Sequence, residues 1–420
     1  MNKNVTRRAF VAATSSVALV ALAACGAGAG GGSGDTVTIG AILPLTGDFS
    51  TYGGPLKDAA DMAVKRVNDA GGIKVAGKSY KVKLKIYDDA TAPEKNIPQI
   101  FPQAVLRDRD PLLITAWNSA SVAPFLKDNP VPVIDVLAAT FKPPVNSLNE
   151  NIFLLRPYTP DIIPGIGTYL SQKFKVKKMA YLGPEEPFAN GQLTSLQQTV
   201  GNDGISLDKV VKYPSTASDL SSFIRSALAS HPDAIHVGGS TQAVAPVLSQ
   251  LHQLGYDKPI TMYTGMTPDQ ARDLIGPSVY KSVMTNVHEF EGVTPQTNPR
   301  PAANQFGKDF QAAYHTYGID LTQWAYDSIW IGKAAMEKAG TVTDPKKISS
   351  ALKELTVPKK TVTGWIEHDG KLFNSARQAS SISVGLKWNV QTATWNPALY
   401  FTAGLPTQKV NLMDPGTAGK

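Results

Sequence analysis

The chain has 420 residues, a formal net charge of +7 and 42% hydrophobic residues. That composition is ordinary for a folded protein and excludes disorder as its main character outside the ends. Lysines alternate with apolar residues and form no Lys/Arg cluster interleaved with aromatics, which excludes nucleic acid as a partner.

Residues 1–24 have a basic start (Lys3, Arg7, Arg8), an apolar run over 17–24 and small residues before Cys25, the one cysteine of the chain. This is the pattern of an export signal, and Leu22-Ala23-Ala24-Cys25 resembles the lipobox of a bacterial lipoprotein. A single cysteine forms no intramolecular disulfide, which suits a residue kept for acylation. The apolar run falls short of the ~20 residues a membrane-spanning helix needs. Thr6-Arg7-Arg8-Ala9-Phe10-Val11 also resembles a twin-arginine export motif. Without the leader and its three charges the chain carries +4. About 396 residues then remain, too many for one core of usual size, so two lobes are expected. Residues 25–35 hold the acylated cysteine and a glycine-rich linker, of which 26–34 span roughly 15–18 Å as a random coil.

From residue 36 the pattern becomes strand, turn and helix in repetition. Residues 37–43 form an apolar strand ending at Pro44-Leu45-Thr46-Gly47. Residues 56–70 place Ala59, Ala63, Val67 and Ala70 on one helical face and stop at Gly71-Gly72. Residues 80–87 alternate lysine with Val82, Leu84 and Ile86, a half-covered strand. Further strands are expected at 112–115, 131–136, 152–155, 179–182, 234–237, 260–263 and 283–287, with helices between them such as 218–229 and 242–254. Such alternation predicts α/β architecture, with parallel sheets flanked by helices. Three helices are expected at 301–317, 321–339 and 345–355, then short strands at 363–367, 381–388 and 398–401. A polar tail covers 406–420.

Five segments, in order, resemble the substrate-binding proteins of ABC transporters of the Leu/Ile/Val-binding type. They are Ile39-Gly40-Ala41-Ile42-Leu43-Pro44-Leu45-Thr46-Gly47 with Tyr52-Gly53; Asn68-Asp69-Ala70-Gly71-Gly72-Ile73 with Tyr87-Asp88-Asp89; Val131-Pro132-Val133-Ile134 with Ala138-Ala139-Thr140; Asn151-Ile152-Phe153-Leu154-Leu155-Arg156-Pro157; and Ala325-Tyr326-Asp327 with Ala334-Ala335-Met336-Glu337-Lys338-Ala339-Gly340. The resemblance implies a two-lobed type I periplasmic-binding-protein fold with the ligand between the lobes. It places lobe one at 36–157 plus 290–360 and lobe two at 158–289 plus 361–405.

Ligands of open α/β sheets sit at the carboxyl ends of strands, beside helix N-termini. Asn118, Ser119 and Ser121 follow the strand 112–115, with Trp117 just before them. The resemblance adds Ala139 and Thr140 after the third segment and Phe188 in the loop before a second-lobe helix; Ser240 and Thr241, after Gly238-Gly239, lie at the next strand end, and Thr264, after the strand 260–263, is a further second-lobe ligand candidate. Tyr52 and Trp117 offer stacking faces, and Trp324 and Tyr326 are further aromatic candidates. Helix capping is the structural alternative for Ser119, Ser121 and Thr140. Branched-chain amino-acid binders of this type hold the ligand ammonium with an acidic residue just after the strand read here as 260–263. This chain has Thr264-Gly265-Met266 there, and Asp269 falls in the next helix. An ammonium without a charge partner is costly in a closed cleft, so a carboxylate or a neutral polar solute is favoured over a plain amino acid.

No Gly-x-Ser-x-Gly elbow occurs, His231 and His236 flank Pro232 out of register for one helical face, and no spacing resembles a zinc or calcium site. The expectation is a binding protein, not an enzyme, with no cofactor and no metal. It is a monomer, anchored by lipid outside the cytoplasm, that delivers a small amino-acid-like, carboxylate or amide ligand to an ABC importer permease. The alternative is a sensor of the same fold that reports to a signalling partner.

Overall fold

Strand β1 (Thr36–Leu43) is the apolar run expected at the start, and it lies inside a six-stranded sheet. The structure, a computed structural model, describes residues 35–47, 49–116, 118–136, 147–155, 159–402 and 412–413, with no side chains described for 159–161. The leader with Cys25, together with Trp117, Ala139 and Thr140, lies outside the described residues.

The first sheet contains β1, β2 (Ile73–Val75), β3 (Lys78–Asp88), β4 (Leu113–Thr115), β5 (Val133–Asp135) and β6 (Ile152–Leu154), in the order β2-β3-β1-β4-β5-β6. All pairings are parallel except the β2–β3 hairpin. The second sheet holds β7 (Lys178–Pro184), β8 (Ser206–Tyr213), β9 (Ala234–Val237), β10 (Ile260–Met262), β11 (Val287–Gly292), β12 (Ile382–Asn389), β13 (Thr394–Thr402) and β14 (Leu412–Met413). Its order is β14-β13-β12-β11-β10-β9-β7-β8, with β7 to β11 parallel and β12 to β14 antiparallel. The helices are α1 (Ser50–Asp69), α2 (Pro93–Pro102), α3 (Ser119–Val122), α4 (Thr159–Tyr169), α5 (Pro187–Thr199), α6 (Ser221–Leu228), α7 (Thr241–Gln253), α8 (Pro268–Ile275), α9 (Tyr280–Val283), α10 (Pro301–Tyr314), α11 (Asp320–Ala339) and α12 (Pro345–Lys353). This is the expected two-lobed α/β fold with helices flanking mostly parallel sheets.

Several elements differ from the sequence expectation. Helix α1 begins six residues early, and Gly53 explains how: a Cβ there would stand 2.0 Å from the Pro44 carbonyl oxygen. Only glycine lets the first turn of α1 dock that closely on the loop after β1. Strand β2 was missed because it is three residues long; Ala76 (φ 49°) and Gly77 (φ 77°) make the tight turn into β3. Strand β8 is a sheet edge with alternating exposure, so its polar residues masked it. The strand expected at 283–287 begins only at Val287, because Val283 to Asn286 form helical turns; its continuation, His288-Glu289-Phe290-Glu291, is polar but buried. Residues 363–367 form no strand, only the bridge of Ile366 to Ser380.

The lobe boundary also moves. Val362, Trp365, Leu372, Phe373 and Ala379 belong to the same apolar core as β1, α1 and α11, so residues 362–379 pack with the first sheet and not with the second, where they were expected. The chain therefore passes between the sheets after β6, after β11 and just before β12. Buried polar groups tie the segment after β11 and the segment at 362–365 to α11. The amide of Gln323 donates to Val293 O at 2.5 Å, and Asn298 donates to Gln323 and to Thr363 O, both at 3.0 Å. Asp327, fully buried, accepts from Val362 N, Thr363 N and the Trp365 indole at 2.7, 3.0 and 2.9 Å. Burial nevertheless raises its pKa to about 7. The Ala325-Tyr326-Asp327 segment is thus structural: Trp324 and Tyr326, candidates for the cleft, lie in the first-lobe core.

Asp327→Ala strands three buried N–H donors, each costing about 1–3 kcal/mol. The expected loss is at least about 3 kcal/mol by urea denaturation followed through tryptophan fluorescence; a loss under about 1 kcal/mol would contradict this account of the crossing.

Candidate functional site

In each sheet the chain goes out to one side of its first strand and then crosses to the other. After β1 it lays β3 on one flank and β4 on the other; after β7 it lays β8 on one flank and β9 on the other. The crevice at such a reversal, beyond the strand carboxyl ends, is where open α/β sheets bind ligands. The residues to examine are those after β1, β3, β4, β7, β9 and β10.

On the first sheet these ends are tied by two carboxylates. Asp88 accepts from Leu45 N, Thr46 N, the Thr46 hydroxyl and Ala90 N, at 2.9, 3.2, 2.7 and 2.9 Å. These donors hold its pKa below the usual carboxylate range despite partial burial. Asp89 accepts from Thr91 N at 3.0 Å and from the Asn118 amide at 2.7 Å; that amide also donates to Ile42 O at 3.2 Å. Asn118 therefore bridges β1, β3 and β4 across the reversal. It is fully buried, and its Oδ1 has no partner among the described residues.

Ser119 departs from expectation. Its hydroxyl hydrogen-bonds to Asp135 and lies 2.8 Å from the Thr115 hydroxyl, and the residue is 1% exposed. It pins β4 to β5 and is spent inside the lobe. Ser121, one turn along α3, is half-buried, as is Tyr52 in the first turn of α1, whose neighbour is Phe49 at 6.4 Å.

On the second sheet Phe188 is half-buried at the start of α5 and packs on Tyr263, after β10, at 5.6 Å. Below them Gln192 donates to Tyr263 O and lies 3.0 Å from His236, which in turn lies 3.1 Å from the Thr261 hydroxyl. Burial pushes the His236 pKa down to about 3, so this ring is a neutral strut of β9. Ser240 caps α7 through Ala243 N and gives its own N–H to Glu186 at 3.3 Å, joining the loops after β7 and β9. Thr241 is 3% exposed. Gly239, at φ +120°, makes the bend that brings Ser240 to this position.

Thr264 also differs from expectation. Its N–H and hydroxyl donate to Glu289 at 2.7 and 2.9 Å, Gly265 N reaches the same carboxylate at 3.3 Å, and Met266 N donates to the Thr264 hydroxyl at 3.0 Å. The donors of Thr264 thus point into the lobe, towards a fully buried carboxylate on the neighbouring strand β11. Burial outweighs these donors and raises Glu289 to about 7. Sequence reading missed Glu289 because it lies 25 residues beyond Thr264, in a run too polar to read as strand. Asp269 sits in the first turn of α8, as expected, and pairs with Arg272 at 2.8 Å.

A family model described as periplasmic binding protein matches residues 36–381. The chain belongs to the periplasmic binding protein family. It is 25% identical over 349 residues to the Leu/Ile/Val-binding protein homolog 3 of Brucella melitensis, covering 81% of this chain and 85% of that protein. Its fold is similar to the branched-chain amino acid transporter substrate binding protein of Streptococcus pneumoniae in complex with isoleucine: TM-score 0.72, 17% identity, 91% of this chain and 100% of the other. A solute binding protein of an ABC transporter from Rhodopseudomonas palustris, in complex with 3,4-dihydroxybenzoic acid, gives a TM-score of 0.69 at 18% identity, over 89% of this chain and 99% of the other. The family is one of binding proteins, in line with the expectation of no enzymatic activity. Among the described residues no group of three or more His, Cys, Asp or Glu is placed to hold a metal, and no helix is long and apolar enough to cross a membrane.

Glu289 carries a pH prediction. A carboxyl with an unfolded pKa of about 4.3 and a folded pKa raised to about 7 holds its proton longer in the folded state. Its contribution to stability is full below the unfolded pKa and is lost as pH rises through 7. Glu289→Gln, which has no charge to lose, should flatten the fall of the urea midpoint between about pH 5 and pH 8. Asp327 leaves a residual slope of the same sign. An unchanged slope would show that Glu289 is ionised in the folded protein throughout this range.

Proposed function

We propose that this chain is an extracytoplasmic, lipid-anchored receptor that binds a small carboxylate with an apolar or aromatic body and delivers it to an ABC importer. The observation that supports this ligand class is the commitment of strand-end carboxylates. Asp88, Asp89, Asp135 and Glu289 each accept hydrogen bonds from protein donors at the very edges where a ligand would lie. An ammonium arriving there would compete with those donors for acceptors already in use. A ligand carboxylate instead needs donors, and the helix starts after β4 and β9 offer N–H groups and the half-buried Ser121. Phe188 from the second lobe and Tyr52 with Trp117 from the first supply apolar faces, with Ala139 and Thr140 assigned to the same site by the family resemblance. Dihydroxybenzoic acid, held by the Rhodopseudomonas palustris neighbour, is of this chemical class.

The two lobes close on the ligand by rotation at the three crossings, and the closed form is what the importer reads. Delivery, and not signalling, is supported by the neighbours named as binding proteins of transporters.

A thermal-shift screen tests the ligand. Benzoate-like and short aliphatic carboxylates should raise the melting temperature, a ligand at 100 times its Kd adding about 2.7 kcal/mol. Phe188→Ala should weaken the best of them about tenfold, roughly 1.4 kcal/mol. Micromolar binding of leucine or valine, about −8 kcal/mol, with no response to their deaminated analogues, would overturn the reading.

Cys25→Ser should move the protein from the membrane fraction to the soluble fraction, because lasting attachment needs two lipid chains. A variant that stays with membranes would remove the lipobox from the account.

A further inference from the structure

The first sheet has one half-face that nothing described covers. In the parallel pair β1–β3, Val37 faces the same side as Val82, and Ile39 the same side as Leu84; this side belongs to the core of α1 and α11. Thr36, Thr38, Gly40 and Ile42 share the other side with Lys81, Lys83, Lys85 and Tyr87. Its carboxyl half, at Ile42 and Tyr87, is covered by Ile97, Phe101 and Ala104. Its amino half is open, with Lys81 and Lys83 exposed, and the hairpin strand β2 adds exposed Lys74.

The charge on this face is unbalanced. Lys85 pairs with Asp108 at 2.6 Å, which brings the exposed Arg107 and Arg109 to the border of the patch. Two nearby carboxylates have ion-pair partners, Asp108 with Lys85 and Asp35 with Lys78 at 3.6 Å, while the buried Asp110 accepts from the Tyr87 hydroxyl at 2.7 Å and offsets one of the cations. Among the described residues Lys74, Lys81, Lys83, Arg107 and Arg109 make no side-chain ion pair, although the Lys81 ammonium donates to Asn68 O at the end of α1 at 2.7 Å. Leu106, beside Arg107, is 57% exposed, an apolar side chain among these cations.

The chain from Cys25 joins the fold at this place, because Thr36 is the register partner of Lys81. Nine residues, 26–34, separate Cys25 from the fold, a chain length of at most about 35 Å, so an anchor at Cys25 keeps the patch near the headgroups. Charge attraction then acts over a Debye length of about 8 Å.

We infer that this basic half-face, Lys74, Lys81 and Lys83 with Arg107, Arg109 and Leu106, docks the tethered protein on an anionic phospholipid surface. Docking orients the strand carboxyl ends of the first lobe away from the lipid, since the patch occupies the opposite end of the same sheet. The inference rests on the anchored reading above, and the experiment separates the two.

The mature exported chain is mixed with phosphatidylcholine vesicles, with and without phosphatidylglycerol, that contain a headgroup-attached quencher. One fluorophore is placed at Ser79→Cys on the patch or, as control, at Asn202→Cys, exposed in the second lobe. The expected result is severalfold stronger quenching at Ser79 with phosphatidylglycerol, lost in high salt and in the triple variant Lys74→Glu, Lys81→Glu, Lys83→Glu, and no such response at Asn202. Equal quenching on both vesicle types, equal quenching of both labels, or phosphatidylglycerol dependence that survives the triple variant overturns the inference. Failure of the anchor appears differently, as a chain that does not float with phosphatidylcholine vesicles. In that case flotation of the free chain with phosphatidylglycerol vesicles, abolished in the triple variant, still supports the basic face, and its absence overturns it.

Discussion

Parallel strand pairing is the constraint on which the rest of this molecule depends. A parallel pair needs a crossover, helices such as α1, α2, α5, α6 and α7 supply crossovers here, and helices on both faces bury strands such as β4, β5, β9 and β10 completely. The carboxyl ends of the parallel strands then fall on one edge of each sheet. The loops after β1, β3, β4, β7, β9 and β10 gather at those edges, where open α/β sheets bind ligands. The opposite edge receives the amino terminus of the fold and carries the uncovered basic half-face.

The polar groups at the strand ends divide into two kinds of work. Asp89 with Asn118, Ser119 with Asp135, Thr264 with Glu289, and Gln192 with His236 join strand ends within a lobe. They are buried and mutually satisfied, as low-dielectric surroundings demand. Residues left half-buried at the same edges, Tyr52, Ser121 and Phe188, face the space such scaffolding leaves. Gln323, Asn298 and Asp327 tie the segments after β11 and at 362–365 to α11.

Glu289 refines the view of ligand charge. The loop after β10 lacks an acid in sequence, yet a carboxylate stands beneath it from β11. What matters is the number of donors it meets: the N–H and hydroxyl of Thr264 and the N–H of Gly265 occupy it. A carboxylate used in this way shapes the loop after β10 from beneath.

The sequence by itself determined the fold class, the family and most of the elements. Long amphipathic segments such as α11 and fully apolar runs such as β1 and β9 announce themselves because burial dictates every residue in them. The resemblance segments lie at strand ends, where close approach restricts residue choice, as Gly53 against Pro44 illustrates. Short, edge and polar elements escaped: β2 has three residues, β8 alternates at a sheet edge, and β11 buries His288, Glu289 and Glu291 between β10 and β12. The serines and threonines of the candidate site were legible as a group but not by role. Ser119 and Ser121 look alike in sequence, and only the position of Asp135, 16 residues away, makes the first a pin between strands. Tertiary structure likewise decided that 362–379 packs with the first lobe, since three donors there converge on Asp327, and that the lysines of β3 share one open face. Such outcomes depend on which distant groups meet, and local periodicity carries no record of that.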